Sequence, residues 1–239
     1  MKISGLQKLT LLDYPGHLAA VVFLPGCNLR CPFCQNSSLV LEPETAPAIT
    51  EEELMHFLKK RSGILEGVCV TGGEPTLHPE LPDLLASIHD AGYLAKLDTN
   101  GTDPGLLQSL IQDGLVDYVA MDIKAGKSNY RRVCGLTANV PEMSDPLLKK
   151  IDRSIEILKT GAIDYEFRTT VVQGLHTEQD FTEIRDWLSG SQAYFLQSFR
   201  DCPEVLMENH PFTAFSEEQM KHFLEIVQET IPAAALRGI

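Results

Sequence analysis

The sequence predicts an α/β fold: a parallel sheet with its helices outside, arranged as a partial, open (β/α)6 TIM-like barrel. Three observations predict it. Short apolar runs rich in Val, Leu, Phe and Tyr alternate with segments of helical periodicity, as strands buried on both faces alternate with crossover helices. Helix-start signals stand ahead of most of the amphipathic segments. Unusual polar segments follow three of the apolar runs, at the strand ends where parallel barrels build their sites. Six strand–helix units are too few for a closed eight-stranded barrel.

The strands are expected at residues 19–24, 67–70, 93–97, 118–121, 165–172 and 193–196. Between the first two, Thr50-Glu51-Glu52-Glu53 reads as a capping box before Leu54, Phe57 and Leu58. The second strand leads to a helix at 82–91, with Leu84, Leu85 and Ile88 apolar. Asp103-Pro104 places a cap and a first-turn proline before Leu106, Leu107, Leu110 and Ile111. Leu147, Leu148, Ile151, Ile155 and Leu158 share one helical face, and Gly161 stops that helix. Thr177 precedes Phe181, Ile184 and Leu188, and Ser216-x-x-Gln219 precedes Phe223, Leu224 and Val227. The proline- and glycine-spaced stretch 125–145 reads as a functional loop within a single domain, 1–239.

The chain has 239 residues, 44% of them hydrophobic, enough to bury a substantial core. Twenty basic residues against 33 acidic ones give a formal charge of −13, which argues against nucleic acid and anionic membranes as partners. The longest apolar run, 18–24, is too short to span a bilayer, and the N-terminus lacks the apolar stretch of a secretory signal. A cytoplasmic location follows as the expectation. There thiols stay reduced, so the six cysteines need an explanation other than disulfides.

Three of those cysteines, Cys27, Cys31 and Cys34, stand in PGCNLRCPFCQN, a C-x3-C-x2-C spacing. Pro32 disfavours helix for the residues before it, so the cysteines are expected on a loop beyond a buried strand. A structural zinc site would want four ligands, and neither a second C-x2-C nor a nearby histidine supplies the fourth. An iron–sulfur cluster held by three cysteines keeps one iron open for a substrate or cofactor. The second strand runs into Thr71-Gly72-Gly73-Glu74-Pro75, the third into Asp98-Thr99-Asn100-Gly101, and the fourth into Asp122-Ile123-Lys124. Singly these read as turns or a plain ion pair. Together they crowd one rim with the cysteine loop.

These residues resemble the radical S-adenosylmethionine (SAM) superfamily, whose hallmark is this cysteine loop with an aromatic, here Phe33, before the last cysteine. The resemblance implies that the barrel is of the radical SAM type. It implies one [4Fe-4S] cluster on Cys27, Cys31 and Cys34, with SAM chelating the fourth iron. It further implies SAM contacts from Gly72, Gly73, Glu74, Asp98, Thr99, Asn100, Asp122 and Lys124. Arg168, in Phe167-Arg168-Thr169-Thr170, resembles the family's fifth-strand arginine facing the cofactor. On the last strand Gln197 stands where a related branch carries histidine.

Asp13-Tyr14-Pro15-Gly16 and VVFLPGCNLRCPFCQN look most like activating proteins for anaerobic ribonucleoside-triphosphate reductase. That implies hydrogen abstraction from a glycine Cα of a partner glycyl-radical enzyme, with flavodoxin or ferredoxin as electron donor. Group members usually show His-Asn after the last cysteine, where this chain has Gln35-Asn36. Two other function classes stay open: a small-molecule enzyme similar to 7-carboxy-7-deazaguanine synthase, and an iron–sulfur carrier without chemistry. Cys69 reads as a buried small hydrophobe, and Cys134 and Cys202 as isolated loop thiols, so a single cluster is expected. His17, His56, His78, His89, His176, His210 and His222 show no metal spacing and are given no catalytic role. Lys124, Lys127, Arg131 and Arg132 form the densest basic stretch, suited to docking an acidic donor or partner protein.

Overall fold

The computed structural model describes all of the chain except residues 46–47, 137–139, 208, 210 and 239, so His210 lies outside the described residues. The chain divides into two compact units: Met1–Asn28, Ser38–Ala120 and Ala162–Asp164 in the first, Leu29–Ser37, Met121–Gly161 and Tyr165–Ile239 in the second.

The first unit opens on a strand that the sequence pattern does not announce. β1 (Gly5–Thr10) pairs antiparallel with β2 (Ala19–Leu24) and exposes three consecutive residues, which hides its strand signature. A short helix α1 (Ser37–Leu41) and α2 (Glu51–Lys59) follow. The capping box forms as read: Glu53 N–H donates to Thr50 Oγ1 (3.1 Å) and Thr50 N–H donates to the Glu53 carboxylate (2.8 Å). β3 (Gly67–Gly72) lies parallel to β2, in register from Ala19 opposite Gly67 to Leu24 opposite Gly72. After α3 (Leu81–Asp90), β4 (Leu94–Thr99) adds in parallel, and α4 (Pro104–Gln112) starts where Asp103 accepts from Leu106 N–H (3.0 Å). Leu54 and Leu58 of α2 and Leu84, Leu85 and Ile88 of α3 are fully buried, each worth about 1.5–3 kcal/mol relative to exposure.

The boundary between the units falls within β5 (Tyr118–Asp122). The second unit continues with α5 (Tyr130–Val133), α6 (Pro146–Lys159), β6 (Asp164–Val171), α7 (Glu178–Trp187), β7 (Tyr194–Ser198), α8 (Glu217–Gln228) and β8 (Ala235–Arg237). β6, β7 and β8 run parallel in chain order. The stretch 125–145, read from sequence as a loop, is more ordered than that. It holds a 3₁₀ turn at Lys127–Asn129, then α5, then a second turn at Glu142–Ser144. Its start is pinned to the head of α7: Gly126 N–H (3.1 Å) and the Asn129 amide (3.0 Å) both donate to Asp180. The α/β class with parallel strands and amphipathic helices therefore holds, with an antiparallel strand added at one edge.

Candidate functional site

In the first unit, the chain leaving β2 as Pro25-Gly26-Cys27-Asn28 lies against the end of β3. Gly73 N–H donates to Leu24 O (2.9 Å) and Glu74 N–H to Gly26 O (2.8 Å). A Cβ on Gly72, whose φ is +119°, would stand 2.3 Å from Leu24 O, and one on Gly73 would stand 1.9 Å from Gly26 O. The paired glycines are thus required by backbone-to-backbone packing under the cysteine loop. His78 Nε2 closes the same corner on Pro25 O (2.7 Å).

Glu74 is fully buried and receives four hydrogen bonds: Thr76 N–H (3.2 Å), Thr76 Oγ1 (2.6 Å) and Thr99 Oγ1 (2.7 Å) on Oε1, and Asn100 N–H (2.6 Å) on Oε2. Burial pushes its carboxyl pKa up, and the four donors work against that shift. It ties the end of β3 to the end of β4. Asn100 in turn donates from Nδ2 to Asn28 Oδ1 (2.9 Å), lies 3.9 Å from Cys27 Sγ, and accepts from Thr102 Oγ1 (2.7 Å). Asp98 pairs with Lys96, a fully buried lysine on the same strand face whose Nζ also lies 3.7 Å from Cys69 Sγ.

In the second unit, the other two cysteines sit on a braced turn. Cys34 N–H donates to Cys31 O (3.0 Å) around Pro32-Phe33, with proline in the position that favours such a turn. Leu206 N–H donates to Cys34 O (2.8 Å), Met207 N–H to Pro32 O (2.9 Å) and Gln35 Nε2 to Arg200 O (2.5 Å). On the other flank Arg30 N–H donates to Cys134 O (3.0 Å). Cys134 is not an isolated loop thiol: it is buried at the end of α5 and hydrogen-bonds Cys31. That bond draws the Cys31 thiol below its ordinary value against the opposing effect of burial, helped by the nearby Lys124 charge. Burial pushes the Cys34 thiol up. Phe33 is buried edge-on to His176, ring centroids 6.4 Å apart.

Asp122 bridges two cations in this unit, Lys124 Nζ (2.9 Å) and the Arg168 guanidinium (2.9 Å). Burial alone would raise the Asp122 carboxyl, but the Arg168 and Lys124 charges hold it well below the usual carboxylate range. Burial likewise opposes the Lys124 charge, and Asp122 more than restores it. Gln197 sits opposite Thr170 in the β6–β7 register, on the strand face that also carries Arg168.

The structure therefore gathers Cys27, Gly72, Gly73, Glu74, Thr99 and Asn100 in one unit, and Cys31, Phe33, Cys34, Asp122, Lys124 and Arg168 in the other. Among the described residues no three His, Cys, Asp or Glu side chains stand as a ready metal-holding group. Sequence reasoning missed Asn28, Lys96 and Cys134, and gave His176 no part. Asn28, Cys134 and His176 meet partners far along the chain, so no local spacing points to them, whereas Lys96 pairs with Asp98 only two residues on and was passed over as an ordinary strand residue. The donor set suits an iron–sulfur group, since thiols bind iron as thiolates and one of these is already drawn toward that form. The paired signs of Asp122, Lys124 and Arg168 suit a zwitterionic amino acid.

Comparisons with known proteins agree. The Radical SAM superfamily model matches residues 21–188. A Methanocaldococcus jannaschii protein provisionally named a glycyl-radical enzyme activating enzyme is 29% identical over 238 residues, covering 99% of this chain and 96% of that one. A Haemophilus influenzae protein with the same provisional name is 34% identical over 227 residues, covering 87% and 82%. Among solved structures, Streptococcus suis SuiB bound to its precursor peptide SuiA shares the fold, with a TM-score of 0.67 at 13% identity over 91% of this chain and 48% of that one. The cysteine loop, the strand-end segments and the family match converge: the chain is an enzyme of the radical SAM superfamily, which uses a [4Fe-4S] cluster and S-adenosylmethionine.

Proposed function

We propose that this chain activates a glycyl-radical enzyme, with anaerobic ribonucleotide reductase as the partner, and that residues 1–239 serve as a single radical SAM core. The observation that carries the reading is the similarity to a glycyl-radical activating enzyme of provisional name across 99% of the chain. The resemblance of Asp13-Tyr14-Pro15-Gly16 and the cysteine loop to reductase-activating proteins narrows the partner. No helix among the described residues is long and apolar enough to cross a membrane, which fits a cytoplasmic enzyme.

In this reading Cys27, Cys31 and Cys34 would hold the cluster. When bound, the cluster and SAM would supply the radical chemistry by which a glycine Cα of the partner loses a hydrogen atom, with a glycyl radical, methionine and 5′-deoxyadenosine as products. The chain's own residues position and shield. Asp98 and Asp122 accept from the ammonium and ribose hydroxyls, Lys124 and Arg168 face the carboxylate, and Gln197 completes that strand face. Gly72 and Gly73 bring the backbone close, and Phe33 closes the loop. Glu74 and Thr99 act one step back, holding Asn100 beside Cys27.

The test is anaerobic reconstitution, reduction, and electron paramagnetic resonance with anaerobic ribonucleotide reductase. A doublet glycyl signal in the reductase, with 5′-deoxyadenosine formed alongside it, is the expected result. SAM cleavage that rises with a small molecule and not with any glycyl-radical enzyme would replace the reading with a small-molecule reaction.

A further inference from the structure

A groove of about 900 Å³ opens in the second unit beside the cysteine turn. Leu136, Leu148, Leu175 and Phe212 give it an apolar floor, and Arg30 and Pro32 bring the cysteine loop into its wall. Leu206 and Met207, which also line it, are the residues whose backbone N–H groups hold the Cys34 and Pro32 carbonyls. An occupant therefore rests against the backbone of the turn that carries Cys31 and Cys34. Neither those cysteines nor Phe33 line the groove. The groove meets the loop through Arg30 and Pro32.

Its charge differs from that of the rest of the molecule. Arg30, Lys127, Arg131 and Arg132 line it against Glu142 and Asp145, two more cations than anions, in a chain of net charge −13. Arg131 is engaged by Asp145 (3.0 Å) and Lys127 by Asp152 (2.9 Å). Arg132 is held by two neutral acceptors, Asn129 Oδ1 (2.8 Å) and Leu175 O (2.6 Å), so it is fixed in place with its charge left for a partner. A preset cation beside an apolar floor favours an acidic protein surface.

We infer that this groove is the docking surface for an acidic flavodoxin-type electron donor. The donor would supply one electron, its flavin hydroquinone becoming the semiquinone, to the cluster that Cys27, Cys31 and Cys34 would hold. No bond forms or breaks in that step. Arg30 and Pro32, which line the groove, flank Cys31 in the chain. Weak, charge-steered contacts of modest area are typical of redox encounters. The inference rests on the family's need for an electron and not on which protein is activated.

The test compares reduction of the reconstituted enzyme by a purified acidic flavodoxin and by dithionite, at low and high salt. Arg132→Glu lowers the flavodoxin-driven rate at least about tenfold at low salt, and Glu142→Lys, an exposed rim substitution, raises it. Dithionite-driven reduction stays at the wild-type rate in both, and the differences close near molar salt. Flavodoxin rates unchanged by Glu142→Lys and Arg132→Glu would overturn the inference. So would an equal loss with dithionite, or a loss confined to affinity for the glycyl-radical enzyme. A missing glycyl signal with these salt-dependent rates intact would count against the proposed activation alone.

Discussion

His176 Nδ1 accepts from Val172 N–H (3.0 Å), which places the ring proton on Nε2, where it donates to Lys124 O (2.8 Å). The neutral imidazole thus supports both Phe33 and the backbone of Lys124. Burial lowers its pKa, and its hydrogen bond to the Lys124 carbonyl only partly offsets this. A buried histidine with a depressed pKa binds its proton less readily folded than unfolded. Its contribution to stability is complete above the unfolded value of about 6.5 and is lost as pH falls below it. Urea midpoints at pH 7.5 and 5.5 should therefore separate wild type from His176→Gln, with the wild type losing more stability on acidification. Parallel losses in the two proteins would disprove the assignment. At this scale the three loop cysteines were legible because their chemistry is local, whereas His176 and Cys134 matter only through partners brought close by folding.

β4 carries a charged pair on one face, Lys96 buried and Asp98 little exposed. Alternation within a strand puts residues two apart on the same side, which is why the pair forms. Removing Asp98 would leave an ammonium in the interior. Asp98→Ala is expected to cost about 3–5 kcal/mol in equilibrium urea unfolding. Lys96→Met should cost less, since the more exposed carboxylate can recover water. Most of the longer helices were readable from their caps and α3 from its apolar spacing alone, while the five-residue α1 went unread. The central strands were readable from their apolar runs. β1 and β8 were not: the first exposes much of its length and the second has three residues. α5 escaped for a similar reason, being four residues among prolines and glycines.

For the molecule as a whole, Cys69, Cys134 and Cys202 each lie in a different setting, a strand interior, a helix end and a partly exposed segment. Iron and sulfide analysis of reconstituted protein should find about four irons per chain, one cluster's worth. About eight would require a second cluster that these thiols could not build alone. The acidic composition was visible at once, but the local reversal of sign was only partly so. A basic stretch can be read in sequence; its meeting with an apolar floor under the cysteine loop depends on residues from 30 to 212.

One contact sets a limit on how that surface could be redesigned. Gly135 has φ +73°, and a Cβ there would lie 2.0 Å from Arg30 O. The groove wall and the cysteine loop are pressed together at this point without a side chain between them. An engineer seeking to pair the enzyme with a foreign reductant can rewrite the rim at Arg132 and Glu142. Position 135 is closed to every other amino acid, so recognition can be exchanged while the mechanical coupling to the loop stays as it is.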